Sequence, residues 1–269
     1  MLRSVQAKFS DCARIFITSL AANNILPFRI GDVMRIFTYA SDVNATPSVV
    51  MSTVLLEKLL DVFSLAVLFV IALHSGTAVS PKLRMGSEIG LAISVAGLLV
   101  LVFGARTLRA PIAKFAASSE HALVKKLEHW LVLSMDCIES IGIAGTLMLV
   151  LCSFVAWCFE GLLYVSAAKM MALPVDRLGP WAAVSQANLS FLIPSSPGGI
   201  GPFEWACKDA LVRHGAPATT AGLFGLLIHA WLFVGITLVG GALFLVHRAH
   251  RATNKPLTEE LETLPAELP

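Results

Sequence analysis

The sequence predicts an all-α polytopic membrane protein, with about four full transmembrane helices and two broken, re-entrant segments that form a candidate inverted repeat. Three observations predict this class. Charged side chains make up 14% of the 269 residues and hydrophobic ones 56%, where a soluble domain carries about 25% charge; the mean hydropathy is +0.76. Several apolar stretches reach the roughly 20 residues needed to cross hydrocarbon. Two further apolar stretches are interrupted by proline and glycine, which a spanning helix does not tolerate without compensation.

Residues 15–28 are uncharged between Arg14 and Arg29, a length that suits a re-entrant segment or partial helix. Arg3, Lys8 and Arg14 ahead of them resemble the charged region of a signal peptide. Asn23-Asn24-Ile25-Leu26-Pro27 continues without a polar mature start, so the segment reads as uncleaved. Residues 49–73 are long enough to span but contain Glu57, Lys58 and Asp61. At mid-helix each charge costs about 2.5–3.5 kcal/mol and each Leu, Val, Ile or Phe returns only about 0.3–0.6. These charges are therefore expected to face protein or water. Residues 89–105 are uncharged and carry Gly90, Ser94 and Gly97 at helical spacing, a seam for close helix approach.

Residues 106–140 mix Phe115, Leu123, Leu127, Trp130 and Leu131 with Lys114, Lys125, Lys126 and Glu128, the pattern of an amphipathic helix lying on the inner surface. Residues 141–168 are apolar except for Glu160. Residues 181–203 begin as a helix and then meet Pro194, Pro197 and Pro202 with Gly198, Gly199 and Gly201, which no continuous helix survives. Residues 216–246 are uncharged and long enough to tilt. Residues 248–269 read as a flexible cytoplasmic tail, leaving 1–247 as one integral membrane domain.

With the 29–48 connection inside, alternation places Arg29, Arg35, Arg106, Arg109, Lys114, Lys125, Lys126, Arg248, Arg251 and Lys255 inside. It places Lys82, Arg84, Lys169, Arg177, Lys208 and Arg213 outside, in agreement with the positive-inside rule. The location expected is the cell (inner) membrane, multi-pass. A net charge of +2 without a basic block excludes a nucleic-acid partner. Cys12, Cys137, Cys152, Cys158 and Cys207 never form CxxC, and no HExxH occurs. No disulfide framework, metal site or cofactor is expected.

The two broken segments invite comparison. Asn24 to Arg35 and Asn188 to Glu204 each place an Asn, then a Pro, then a Gly four residues on, then an acidic residue near a new helix start. One faces the cytoplasm and the other the outside, the signature of inverted repeats whose breaks meet around a substrate. Pro202 suits the first turn of a helix, so free N–H groups near Gly201 to Glu204 would point into the 195–199 loop and receive an anionic lipid headgroup. Ser195 and Ser196 add hydroxyl donors. The alternative is that Glu204 itself satisfies that helix start.

Arg29 and Arg35 are headgroup-phosphate ligands or positive-inside anchors. Glu57 and Asp61 share a face; either Lys58 pairs with Asp61 while Glu57 bonds another helix, or all three line a transport path. The candidate substrate-binding set is Asn24, Pro27, Arg29, Gly31, Asp32, Arg35, Glu57, Lys58, Asp61, Asn188, Pro194, Ser195, Ser196, Pro197, Gly198, Gly199, Gly201 and Glu204. Glu160, near the outer end of its span, and His229, a helix-to-helix hydrogen bond or a proton relay, form a second tier.

Asn-x-x-Leu-Pro-x-Arg-x-Gly-Asp-x-x-Arg from Asn23 to Arg35, Glu-Lys-x-x-Asp from Glu57 to Asp61, and Pro-Ser-Ser-Pro-Gly-Gly-Ile-Gly-Pro-Phe-Glu from Pro194 to Glu204 resemble the flippase-like membrane domain of the lysylphosphatidylglycerol synthase family. The resemblance extends to about His247. It implies a polytopic inner-membrane protein that moves an aminoacylated or anionic phospholipid, or a lipid-linked sugar. Relatives place additional helices before the first motif, so the chain reads as N-terminally shortened. The soluble aminoacyl-transferase domain of bifunctional members is absent, and Lys58 stands where the family has Arg.

Three functions are open at this point. The leading one is a polar-lipid translocase, transporter-like and without a recognisable catalytic constellation. The others are an intramembrane transferase using Glu57, Asp61 or Glu204 as base on a lipid-linked donor, and a non-transporting partner of a separate lipid synthase or glycosyltransferase. The expected partners are a membrane lipid, such an enzyme, and further copies of the chain.

Overall fold

A computed structural model describes residues 7–74, 80–117, 121–192 and 196–253. Pro194 and Ser195, and the tail beyond Thr253, lie outside the described residues. The described chain is helical, without a strand: α1 Phe9–Ile25, α2 Ile30–Phe37, α3 Pro47–Leu73, α4 Pro81–Ala117, α5 Ala122–Met170, α6 Gly179–Leu189, α7 Pro202–Arg213 and α8 Ala218–Thr253. Three helical stretches are long and apolar enough to cross a membrane: Pro81–Val100, Glu139–Met170 and Ala218–His250. A fourth helix, α3, runs unbroken for 27 residues, about 40 Å at 1.5 Å per residue. It carries Glu57, Lys58 and Asp61 in its middle.

The two proline- and glycine-broken segments are helical hairpins. After α1 the chain extends at Leu26 and passes through a 3₁₀ turn, Pro27–Arg29, where Phe28 (φ 56°) and Arg29 (φ 53°) are both left-handed. That reversal folds α2 back onto α1. In the second hairpin α6 ends at Leu189, 3₁₀ turns occupy Ser190–Leu192 and Pro197–Gly199, and Gly201 (φ 100°) precedes Pro202 in the first turn of α7. The 11 residues of α6 and 12 of α7 are about 16–18 Å long, roughly half the hydrocarbon thickness.

The spine of the arrangement is α8. Its first half packs on α7 through Ala221, Phe224, Gly225 and Ile228, and its second half packs on α1. Small residues allow both approaches. A Cβ on Gly225 would stand 3.2 Å from the Glu204 carbonyl oxygen, and one on Gly240 would stand 2.7 Å from that of Ile17. The main core is made by the end of α5 with α6, α7 and the start of α8. Tyr164, Phe203, Leu211 and Phe224 fill the gaps left by Ala182, Ala183, Ala187, Ala210 and Ala221. Outward, α5 and α8 expose Leu147, Phe159, Trp231 and Leu238, apolar surface that suits a lipid solvent.

The 106–140 stretch departs from the expected separate surface helix. Residues 106–117 continue α4 past Pro111, and residues 122–140 form the first limb of α5, which bends at Gly142 (φ 74°, ψ 171°). No helix-ending signal separates residues 105 and 106, so α4 runs on beyond its apolar part. The side chains of Phe115, Leu127 and Leu131 are outside those described.

A Cβ on Gly31 would meet the Ser19 carbonyl oxygen at 2.0 Å and the Asn23 nitrogen at 2.8 Å. Gly31→Ala is therefore expected to destabilise the protein by about 1–3 kcal/mol. Gly90→Ala, with nothing within 4 Å of the added carbon, is expected to stabilise it by about 0.5–1 kcal/mol. Denaturation in detergent measures both.

Candidate functional site

The breaks of the two hairpins meet beside the middle of α8. A Cβ on Gly198 would lie 3.3 Å from the Asn24 carbonyl oxygen and 2.6 Å from the Phe233 ring, and the Arg29 guanidinium sits over the Phe191 ring, 5.7 Å from its centroid. Gly198 (φ 64°) and Gly199 (φ 73°) adopt backbone that favours glycine. A side chain at Gly199 would also collide with the Phe191 ring, 2.3 Å away.

Backbone interrupted at membrane depth must find partners inside the protein, and each break does. Asn23 Oδ1 accepts the Asp32 N–H at 3.2 Å. Asn24 Nδ2 donates to the Phe233 carbonyl at 3.3 Å and to Thr237 Oγ1 at 3.0 Å. The Ser196 hydroxyl donates to the Ile200 carbonyl. His229 Nε2 lies 3.0 Å from the Gly198 carbonyl oxygen, and Nδ1 lies 2.7 Å from Glu204 Oε1. One ring nitrogen faces a carbonyl and the other a carboxyl, so the imidazole ties the Gly198 turn to the start of α7. Phe203 stacks on the imidazole with centroids 4.2 Å apart.

The α7 start differs from an open anion site. The Gly201 N–H donates to Glu204 Oε2 at 2.7 Å, the half of a capping box that a glycine N-cap allows. The chain's own carboxylate thus stands where an external anion was expected.

A second constellation lies along α3. Arg35, 8% exposed, grips both oxygens of Glu57, with NH1–Oε2 at 3.0 Å and NH2–Oε1 at 3.1 Å. Its guanidinium also lies over the Phe16 ring, 5.4 Å from the centroid. Lys58 Nζ pairs with Glu57 Oε1 at 3.2 Å. Of the alternative that paired Lys58 with Asp61 and bonded Glu57 to another helix, the structure has the second contact and not the first, since Asp61 Oδ1 accepts the Trp157 Nε1–H from α5 at 3.1 Å. Glu160, half-buried on α5, accepts from Asn188 Nδ2 of α6 at 3.1 Å.

Two cavities flank Glu57. One, about 210 Å³, is lined by Cys12, Ile15, Phe16, Arg35, Tyr39, Val43, Val50, Thr53 and Glu57. The other, about 400 Å³, is lined by Thr53, Leu56, Glu57, Leu60, Asp61, Ile141, Leu149, Cys152 and Ser153. Thr53 and Glu57 belong to both walls, and the Arg35–Glu57 pair stands at the divide.

The candidate residues thus separate into two groups. Asn24, Pro27, Arg29, Gly31, Asp32, Ser196, Pro197, Gly198, Gly199, Gly201 and Glu204 build the meeting breaks, and Arg35, Glu57, Lys58 and Asp61 form the constellation at the cavities. Asn188 and Glu160 join α6 to α5. Four residues that matter here escaped the sequence reading: Trp157, Phe191, Phe233 and Thr237. A further pair, His214 Nδ1 with Asp176 Oδ2 at 2.8 Å, anchors the start of α6, where Asp176 Oδ1 accepts the Leu178 and Gly179 N–H groups. Gln186, Asp209 and Arg213 tie α6 to α7. Among the described residues no group of His, Cys, Asp and Glu is arranged to hold a metal ion.

The sequence matches the family described as the lysylphosphatidylglycerol synthase TM region over residues 1–240. It is similar to a UPF0104 membrane protein of Methanocaldococcus jannaschii, 24% identical over 225 residues that cover 83% of this chain and 93% of the relative. No solved structure matches the chain.

His229→Phe keeps a ring on Phe203 but removes both hydrogen bonds. It is expected to lower unfolding free energy by about 1–3 kcal/mol, while Trp231→Phe on the lipid-facing surface changes it by less than about 0.5 kcal/mol. Denaturant titration in detergent compares the two.

Proposed function

The chain belongs to the lysylphosphatidylglycerol synthase transmembrane-region family, and from that premise we propose that it is a polar-lipid translocase whose substrate headgroup passes the Arg35–Glu57 pair. It is a membrane protein of a family in lipid metabolism or transport. The observation that carries the finer reading is the pair of cavities divided by one doubly hydrogen-bonded Arg–Glu contact.

An arginine at membrane depth is costly unless paired, and among the described residues its charged partner is a carboxylate that lines both cavities. A lipid phosphate matches that carboxylate in charge and in two-point geometry. It can take Arg35 from Glu57 without leaving the guanidinium unpaired at any moment. If the headgroup also carries an amine or hydroxyls, Glu57 receives them. The acyl tails remain in lipid, and the locked breaks supply the rigid wall past which the headgroup moves. Placement in the cell (inner) membrane with residues 248–269 on the cytoplasmic side belongs to the same reading.

Reconstituted vesicles holding fluorescent phosphatidylglycerol, with a membrane-impermeant quencher, report translocation. Arg35→Ala and Glu57→Gln are expected to slow movement about tenfold or more. Arg35→Lys, which keeps charge but loses the bidentate contact, is expected to fall between them and the unmodified protein. Equal rates in all four proteins, each shown to be folded, would remove Arg35 and Glu57 from the path.

A further inference from the structure

Four carboxyl groups of the helical bundle, Glu57, Glu204, Asp61 and Glu160, are held in two different ways. Glu57 has both oxygens taken by Arg35 and one also by Lys58. Glu204 has one oxygen on His229 and the other on the Gly201 N–H. Asp61 and Glu160 each have one oxygen on a neutral donor, Trp157 Nε1–H and Asn188 Nδ2–H respectively. Their second oxygens have no hydrogen-bond partner among the described residues, and neither carboxyl has a cation within salt-bridge distance there. A carboxyl held in this way keeps its hydrogen bond whether or not the open oxygen carries a proton. The other two do not.

These groups form a row. On α5 the positions Ser153, Trp157, Glu160 and Tyr164 follow the spacing of four, three and four that keeps residues on one helix face. Ser153 bonds Ser64 of α3 at 3.1 Å, Trp157 bonds Asp61 and Glu160 bonds Asn188. The row is about 16 Å long. One end opens at the 400 Å³ cavity, which Asp61 and Ser153 line. The other end reaches Tyr164, fully buried at 0% exposure, whose hydroxyl has no hydrogen-bond partner.

Asp61 and Glu160 lie close enough to act on one another's charge, as do Glu160 and Tyr164. The other charged or titratable groups facing the row are Glu57 and Lys58 of α3, Arg35 of α2, Cys152 of α5 at the cavity and Cys207 of α7 beside Tyr164. α6 contributes no titratable group, His229 of α8 is engaged with Glu204, and the described charges of α4, Lys82, Arg84, Glu88 and Lys114, lie toward its ends.

We propose that the Asp61–Trp157 and Glu160–Asn188 contacts form a proton-binding seam that couples proton movement to the passage of the lipid. This rests on the translocase reading. Asp61 takes a proton from water in the cavity on its open oxygen, and Glu160 receives a proton on its own open oxygen as Asp61 returns to the carboxylate. Intramembrane carboxyls without a cation are the usual stations of proton relays. Because Asp61 and Glu57 share one cavity wall, the charge on Asp61 acts on the headgroup held at the Arg35–Glu57 divide.

Two measurements on the full chain test this. Infrared difference spectra between acid and alkaline pH are expected to show protonated-carboxyl bands that Asp61→Asn and Glu160→Gln each remove. Trp157→Phe and Asn188→Ala, which keep both carboxyls, are expected to shift the band of their partner, and they decide the matter if the carboxyl variants fail to fold. In vesicles holding fluorescent phosphatidylglycerol, a gradient of one pH unit is expected to sustain an uneven distribution of up to about tenfold, the ratio one coupled proton supports. Bands unchanged in all four variants overturn the seam. Lipid that moves in the unmodified protein yet stays evenly distributed under the gradient overturns the coupling and leaves the translocase reading standing. Absence of lipid movement overturns both.

Discussion

The constraint on which this structure depends is that backbone interrupted at membrane depth has no water to bond. Two hairpins break their helices at proline and glycine, and each break is closed from within. Asn23 and Asn24 close the first, and Glu204 with His229 closes the second. Both closures converge on α8, which presents His229 to one break and the Phe233 carbonyl with Thr237 to the other. Closing both breaks on one helix fixes the hairpins tip to tip. The glycines at 198 and 199 follow from the same crowding, since rings of Phe233 and Phe191 fill the space a side chain would need.

A fixed wall has a functional consequence. The second break is packed and its helix start is capped by its own carboxylate, whereas the two cavities lie along α3. There Arg35 reaches from the first hairpin to Glu57, and the two cavities end on either side of that contact. In the proposed translocase the locked breaks provide rigidity, and the ion pair provides a charge that can change partners at modest cost because a phosphate replaces a carboxylate in kind.

Much of this was legible in the sequence because the signals are local. Apolar length marks the spans, and Pro27, Pro197 and Pro202 with their glycines mark the breaks, so broken, re-entrant segments are expected at residues 15–28 and 181–203. The charged patch on α3 was found the same way. Its partners were not. Helical periodicity offers Lys58 to Asp61, three residues on, but Trp157 takes Asp61 from 96 positions away and leaves Lys58 to Glu57. An indole in an apolar run carries no mark of the hydrogen bond it makes. The 106–140 stretch was misjudged because charge beside apolar residues distinguishes a helix at an interface from neither a free helix nor the continuation of a spanning one.

The central claim, that a polar headgroup occupies the cavities divided by Arg35 and Glu57, is tested most directly by photolabelling. Phosphatidylglycerol with a photoreactive headgroup, reconstituted with the full chain and mapped by mass spectrometry, is expected to label residues 50–61 of α3. The label should be lost when unlabelled phosphatidylglycerol is added in excess. Labelling confined to the outward faces of α5 and α8, or to the 196–201 turn, with none at Thr53 or its neighbours on α3, would contradict the account.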